Sequence, residues 1–296
     1  MSCAKVPAKG LTFSGRQLIM TRHNILFVMP ALRSTQYTKL AYDSFVANTD
    51  SRHKLVIGMD LDVPEDRAFY ETNGIPYKIY EGWGHWCMAD YEVLCSREAN
   101  DGFDFLGLVH NDMVFGYKWL DAFDTYCDEV QTDYDKTIFS FRQLGAQTSQ
   151  PPISFVEQFD YAEFLDKSRR LYHICDMAGQ IFQEGLSFLP WLMSYEALDK
   201  TFRWMEWGDF GILDRASTRS AAFKCIQFMG GCIYHFSNIA TTLYPRDYQR
   251  SQFTDDFVVS QAQDPRYMKL AKFWYDNVNQ SNGHFNKVLK EGGILV

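Results

Sequence analysis

Residues 104–115, DFLGLVHNDMVF, decide how this chain reads: an apolar run climbs out of a loop and stops abruptly at His110-Asn111-Asp112. A buried strand that ends on a carboxylate delivers a charged ligand to the carboxyl edge of a parallel sheet, where α/β proteins bind substrates. The same three residues also read locally as an Asn-Asp turn, because Asn and Asp favour turns. Function is therefore sought first around Asp112.

Working outward from this stretch, short β-rich runs alternate with helical ones. Residues 24–29 form a buried first strand that stops at Pro30, and 37–48 carry Leu40, Phe45 and Val46 at helical spacing. A second strand, 53–59, ends at Asp60 with Asp62 close behind. Residues 64–73 read as a helix ending at Gly74, 76–80 as a third strand, 86–100 as a longer helix and 103–109 as the strand leading to Asp112. This alternation is the signature of a mostly parallel α/β sheet with helices on both faces. Its active edge should gather 30–33, 60–62, 81–85 and 110–112.

The second half is less regular. Residues 137–143 read as a strand, 147–152 as a proline-punctuated loop and 155–183 as mostly helical. Segment 186–211 is crowded with Trp191, Tyr195, Trp204 and Trp207. Residues 214–223 read as a helix, and 225–229 and 232–235 as extended pieces around Gly230-Gly231. The tail, 265–296, reads as one helix and a polar Gly-rich end. The expected organisation is a single domain in two halves, 23–145 and 146–245, followed by a helical tail over 246–296.

A chain of 296 residues buries about 75% of its unfolded surface, so a substantial core is available. Aromatic residues make up 16%, which suits either a thick core or a stacking surface for flat ligands. The formal charge of −8 argues against a protein that follows a nucleic acid backbone along its whole surface. Seven cysteines lack any CxxC pair or repeating spacing and read as reduced thiols, so a cytoplasmic location is expected. No segment approaches the ~20 apolar residues of a membrane span, and no stable membrane insertion is expected.

A single strand-end carboxylate flanked by Asn111 and His110 suits a divalent cation held through few protein ligands, Mg²⁺ or Mn²⁺ rather than zinc. His235 closes a later strand and reads either as a further ligand or as a satisfied core or surface histidine. Asp60 and Asp62 can accept hydrogen bonds from a ribose or a base edge, or belong to a solvated turn. In 204–210, WMEWGDF, the carboxylates Glu206 and Asp209 sit among aromatics, where desolvation raises a carboxyl pKa and prepares a general base. Asp209 is the better base because Gly208 lets the backbone approach a ligand closely, although it also reads as a helix cap. No GxGxxG or GxxxxGK[ST] is present, so neither a dinucleotide-binding motif nor a P-loop is legible.

Read in order, these motifs resemble the inverting GT-A glycosyltransferases that use nucleotide sugars. The resemblance spans about 24–238 and implies a nucleotide-sugar-binding half over 23–145 and an acceptor-binding and catalytic half over 146–245. LGLVHNDMVF resembles the family's DxD-type segment in a variant whose first acid is replaced; it implies Asp112 as the metal ligand on the diphosphate, His110 in the place of the missing acid, and Asn111 beside the donor. ILFVMPA resembles the opening strand, which implies Pro30, Ala31 and Arg33 at the nucleotide site, and IGMD implies Asp60 at the base or ribose. EWGDFGILDRA resembles the catalytic segment, implying Asp209 as the base and Arg215 as the Arg that follows. GGCIYHF implies His235 as the residue completing the metal site, and the aromatic segment implies acceptor contacts from Trp191, Trp204, Glu206 and Trp207. The reaction implied is direct displacement at the anomeric carbon of a nucleotide sugar, with Mn²⁺ or Mg²⁺ as cofactor and a uridine diphosphate sugar as the default donor. A glycan hydroxyl is the expected acceptor, with a modified nucleic acid base as another. The competing readings are a nucleotidyltransferase-like enzyme and a non-catalytic glycan-binding protein on the same fold.

Overall fold

Seven consecutive buried residues, Ile25–Ala31, form β1, a run apolar on both faces and therefore covered on both. A computed structural model describes residues 23–130, 134–144, 155–185, 190–201, 224–236, 239, 243–247, 255–277 and 283–296. In it β1 pairs in parallel with β2 (Lys54–Met59) and β4 (Phe105–Leu108), and β2 pairs in parallel with β3 (Lys78–Ile79). The crossovers are α1 (Thr35–Asn48), α2 (Pro64–Thr72) and α3 (Gly84–Ala99). Pro64 opens α2, where its missing N–H costs nothing and Glu65 and Asp66 meet the helix dipole. Asn100 closes α3 in the left-handed conformation (φ 53°).

The second half adds β5 (Met113–Phe115), α4 (Asp121–Val130), β6 (Thr137–Leu144), α5 (Phe155–Gln158), α6 (Tyr161–Met177), β7 (Phe182–Glu184), β8 (Trp191–Ser194), α7 (Tyr195–Thr201) and β9 (Lys224–His235). Three helices follow, α8 (Asp255–Gln263), α9 (Pro265–Asn277) and α10 (Gly283–Glu291). Among the described residues the sheet has nine strands in the order β3-β2-β1-β4-β8-β6-β9-β5, with β7 also on β9. β1, β2, β3, β4, β6 and β9 share one direction, whereas β5, β7 and β8 oppose it. The result is a mostly parallel, mixed α/β sheet.

Among the differences from the sequence reading, three have a legible cause. β1 does not stop at Pro30 but runs through it to Ala31. Val28 O accepts from Val109 N, so Pro30, two residues on, turns its missing donor to the same side, beyond the last β4 pair at Val28 and Leu108. The two extended pieces around Gly230-Gly231 are one strand, β9, whose register against β6 slips between Phe141 and Arg142. The tail after 265 holds two helices rather than one, because Tyr267, Leu270, Ala271 and Trp274 of α9 pack with Phe285, Val288 and Leu289 of α10 in the main core.

The core fills both sides of the sheet with aromatics. Trp119 lies within 4.8 to 6.0 Å, ring to ring, of Phe27, Phe45, Phe115 and Phe141. Each such ring contributes roughly 1.5–3 kcal/mol by leaving water. Backbone also packs on backbone here: a Cβ on Gly231 would stand 1.9 Å from the Trp119 carbonyl oxygen. Because that neighbour is main chain and cannot rotate away, Gly231→Ala is expected to cost about 3 kcal/mol. Urea unfolding of the variant measures it, and a cost below about 1 kcal/mol would show that the strand yields.

His53, 8% exposed, accepts a hydrogen bond on Nδ1 from Ile25 N at 3.2 Å. Burial, aided by the Arg52 charge, pulls its pKa down to about 4. A histidine depressed in the fold contributes stability fully present above its unfolded value near 6.5 and lost as pH falls toward 4. The loss over that window is about 3 kcal/mol. Urea melts at pH 7 and pH 4.5 should show it, and His53→Asn, which keeps an acceptor but does not titrate, should flatten the dependence; an unchanged slope in the variant would assign the acid sensitivity elsewhere.

Candidate functional site at the carboxyl edge of the sheet

β4 ends at Leu108 and the chain turns through His110, Asn111 and Asp112 into β5, with Met113 N donating to His110 O at 3.3 Å. β5 pairs antiparallel with the end of β9 in a register that sets Met113 opposite His235. Phe236 N donates to Asp112 O at 3.0 Å and locks the two segments together. The pairing brings His235 Nε2 to 3.2 Å from Asp112 Oδ1. His110 faces both, its ring 6.1 Å from that of His235. One ligand atom from each of His110, Asp112 and His235 falls within 4.8 Å of the others, so the three residues expected to hold a metal are brought together.

The electrostatics of the pair are mutual. Burial pushes the Asp112 carboxyl up, but the His235 charge and hydrogen bond, with His110 beside it, outweigh burial and hold it below the usual range. Burial pushes His235 down, and Asp112 more than offsets that, so its pKa rises. A carboxylate ready to ligate and two imidazoles within reach form a donor set that fits a divalent first-row ion.

A second acidic group stands on the same edge. Asp60 follows β2, its N–H donating to Ala31 O at 3.0 Å and its O accepting from Gly82 N at 3.3 Å, with 2% of its surface exposed. Its Oδ2 lies 3.2 Å from His85 Nε2. His85 sits in the first turn of α3, and its ring is 5.4 Å from that of His110, edge to face. The sequence reading placed 81–85 at this edge without singling out His85. The available signal was chemical: a histidine is the one side chain in that segment able both to donate to a carboxylate and to ligate a metal.

Pro30 and Ala31 end β1 opposite Gly58 and Met59, at the same edge as Asp60. Arg33 and Ser34 follow with φ of 55° and 52°, consecutive non-glycine residues in left-handed backbone, a conformation that persists only where surroundings enforce it. The Arg33 guanidinium lies 3.7 Å from Asp66 and 3.5 Å from Asp247, and over the Tyr244 ring at 5.6 Å. Asn111 donates through Nδ2 to Thr38 Oγ1 at 3.0 Å, and Tyr70 OH donates to the same oxygen at 3.2 Å, so its amide braces the turn against α1.

Trp191 requires a correction. It lies in β8 between β4 and β6 at 0% exposure, because β8 is an interior strand, and so it belongs to the core rather than to an acceptor wall. Asp209, Arg215, Trp204, Glu206 and Trp207 lie outside the described residues.

No family model and no curated protein matches the chain. Solved structures similar to it include that of S. aureus TarS 1-349, with 13% identity and a TM-score of 0.43 over 91% of this chain and 70% of that one. The same protein in complex with UDP gives 11% and 0.45 over 91% and 70%. A mycobacterial protein gives 13% and 0.41 over 80% of each. Among the described residues, no helix is long and apolar enough to cross a membrane, and six described cysteines are free thiols.

Proposed function

We propose that this chain is an inverting, metal-dependent glycosyltransferase that moves a sugar from a nucleotide-diphosphate donor to an acceptor hydroxyl. One observation carries the reading: His110, Asp112 and His235 converge at the carboxyl edge of a GT-A-like sheet, on the same edge as the buried carboxylate of Asp60. A divalent ion held by those three residues would offset charge on the leaving diphosphate. Asp60 accepts a hydrogen bond from the base or ribose, and Pro30 and Ala31 line the nucleotide. Asp209 takes the proton of the acceptor hydroxyl on the face opposite the leaving group. Arg215, Trp204, Glu206 and Trp207 serve the donor and acceptor sides in the acceptor half, 146–245. The donor carries uridine diphosphate, and the acceptor hydroxyl belongs to a glycan.

The test is calorimetry with nucleoside diphosphates and nucleotide sugars, each with Mn²⁺, with Mg²⁺ and without metal. One nucleotide class should bind only with metal, and about tenfold more tightly with Mn²⁺ than with Mg²⁺, given two imidazole ligands. Absence of nucleotide binding under every metal overturns the reading.

A further inference from the structure

The Asp60 carboxylate is buried, yet only one of its oxygens is met from within the protein. Oδ2 lies 3.2 Å from His85 Nε2, whereas Oδ1 has no hydrogen-bond partner among the described residues. A buried acceptor left unmet costs roughly 1–3 kcal/mol, so a native structure that keeps one is prepared for a donor from outside. Asp60 shares its edge with the metal-binding group, and a single imidazole, His85, touches both.

The segment that carries His85 is clamped on both sides. Gly82 and Gly84 adopt φ of 75° and 73°, which residues with a Cβ rarely reach, and Trp83 between them is 1% exposed. Gly82 N donates to Asp60 O, and Gly82 O accepts from Gln261 Nε2 of α8 at 2.5 Å. The Arg266 guanidinium of α9 lies 5.1 Å from the Trp83 ring, and Tyr267 packs edge-to-face on the same ring at 4.9 Å. The imidazole therefore hangs from a frame fixed by both the sheet and the C-terminal helices.

We propose that His85 is a positioning residue for nucleotide recognition: by donating to Oδ2 it fixes the Asp60 carboxylate so that Oδ1 receives an N–H of the base or a hydroxyl of the ribose. This rests on the nucleotide-sugar reading and deepens it. The ligand class is a nucleoside diphosphate, since its nucleoside reaches Asp60 while its diphosphate reaches the metal-binding group. His85 donates to Asp60 but meets the metal-binding group only through a ring contact with His110, so its donor serves the first part.

The experiment titrates wild type, His85→Leu and His85→Gln by calorimetry, in Mn²⁺, with UDP, GDP, ADP and CDP and with inorganic pyrophosphate, which lacks a nucleoside. His85→Leu should weaken the preferred nucleoside diphosphate about tenfold, the equivalent of one hydrogen bond, while pyrophosphate affinity stays within about twofold. His85→Gln carries an N–H donor where Nε2 stood and should restore affinity to within about threefold. Equal nucleotide affinity in wild type and His85→Leu overturns the proposal, as does a parallel loss of pyrophosphate, which would place His85 on the metal side. If wild type binds pyrophosphate but no nucleotide, the nucleotide-sugar reading is what has failed, and the role of His85 falls with it. Should His85→Leu melt far below wild type, His85→Phe, which keeps the ring volume and lacks the donor, takes its place with the same expectations.

Discussion

Asp112→Asn should abolish Mn²⁺ binding at the His110, Asp112 and His235 group and lower metal-dependent nucleoside diphosphate affinity at least about 100-fold. Changing residues that merely support metal ligands already costs 10- to 100-fold, and Asp112 is the only carboxylate in this group. An amide there is neutral, and its oxygen is a far weaker ligand than a carboxylate. The substitution also removes the charge that lifts His235, so that buried imidazole loses its reason to carry a proton. Asn nearly matches Asp in shape, and Phe236 N still finds the main-chain oxygen of residue 112, so the β5 and β9 pairing should survive. Paramagnetic titration of Mn²⁺ together with nucleotide calorimetry reads both effects. Unchanged metal affinity would move the metal site elsewhere, and unchanged nucleotide affinity with metal lost would detach the nucleotide from the metal.

The second large effect separates chemistry from binding. Asp209→Asn should leave Mn²⁺-dependent donor affinity within about threefold of wild type and slow transfer roughly 100- to 10,000-fold, the range for loss of a general base. The assay follows release of nucleoside diphosphate from whichever nucleotide sugar binds, in the presence of a glycan acceptor panel. The pairing with Asp112→Asn is informative because that variant fails at binding and this one at turnover. Full turnover by Asp209→Asn would remove Asp209 from the base role; a wild type that binds donor and acceptor without transfer would favour the glycan-binding alternative.

Most of the sheet was legible because its strands announce themselves locally: Ile25–Ala31 and Phe105–Leu108 are uninterrupted apolar runs, and each ends in polar residues at one edge. The metal-binding group was legible for the same reason, since His110, Asp112 and His235 all sit at strand ends. Other features depended on distant partners. The segment marks His85 only as a side chain able to donate or to ligate; its role comes from Asp60, which β2 delivers from the preceding crossover. Trp191 misled because aromatic density on a stretch of chain does not say which face water sees, and β8 lies between two other strands. Residues 230 and 231 read as a break because two glycines usually interrupt a strand, whereas here Gly231 admits the Trp119 main chain against an unbroken β9.

The ends of the sheet have a consequence for how the protein behaves in a crowded solution. At one end β3 is two residues long, and at the other the outer side of β9 is shared between β7 over 226–228 and β5 over 233–235. Among the described residues, neither margin presents a long, flat ladder of unpaired amides on which a strand of another molecule could grow. The described sheet, with such clipped borders, gains its breadth without its described edges offering a template for fibril-like stacking between molecules.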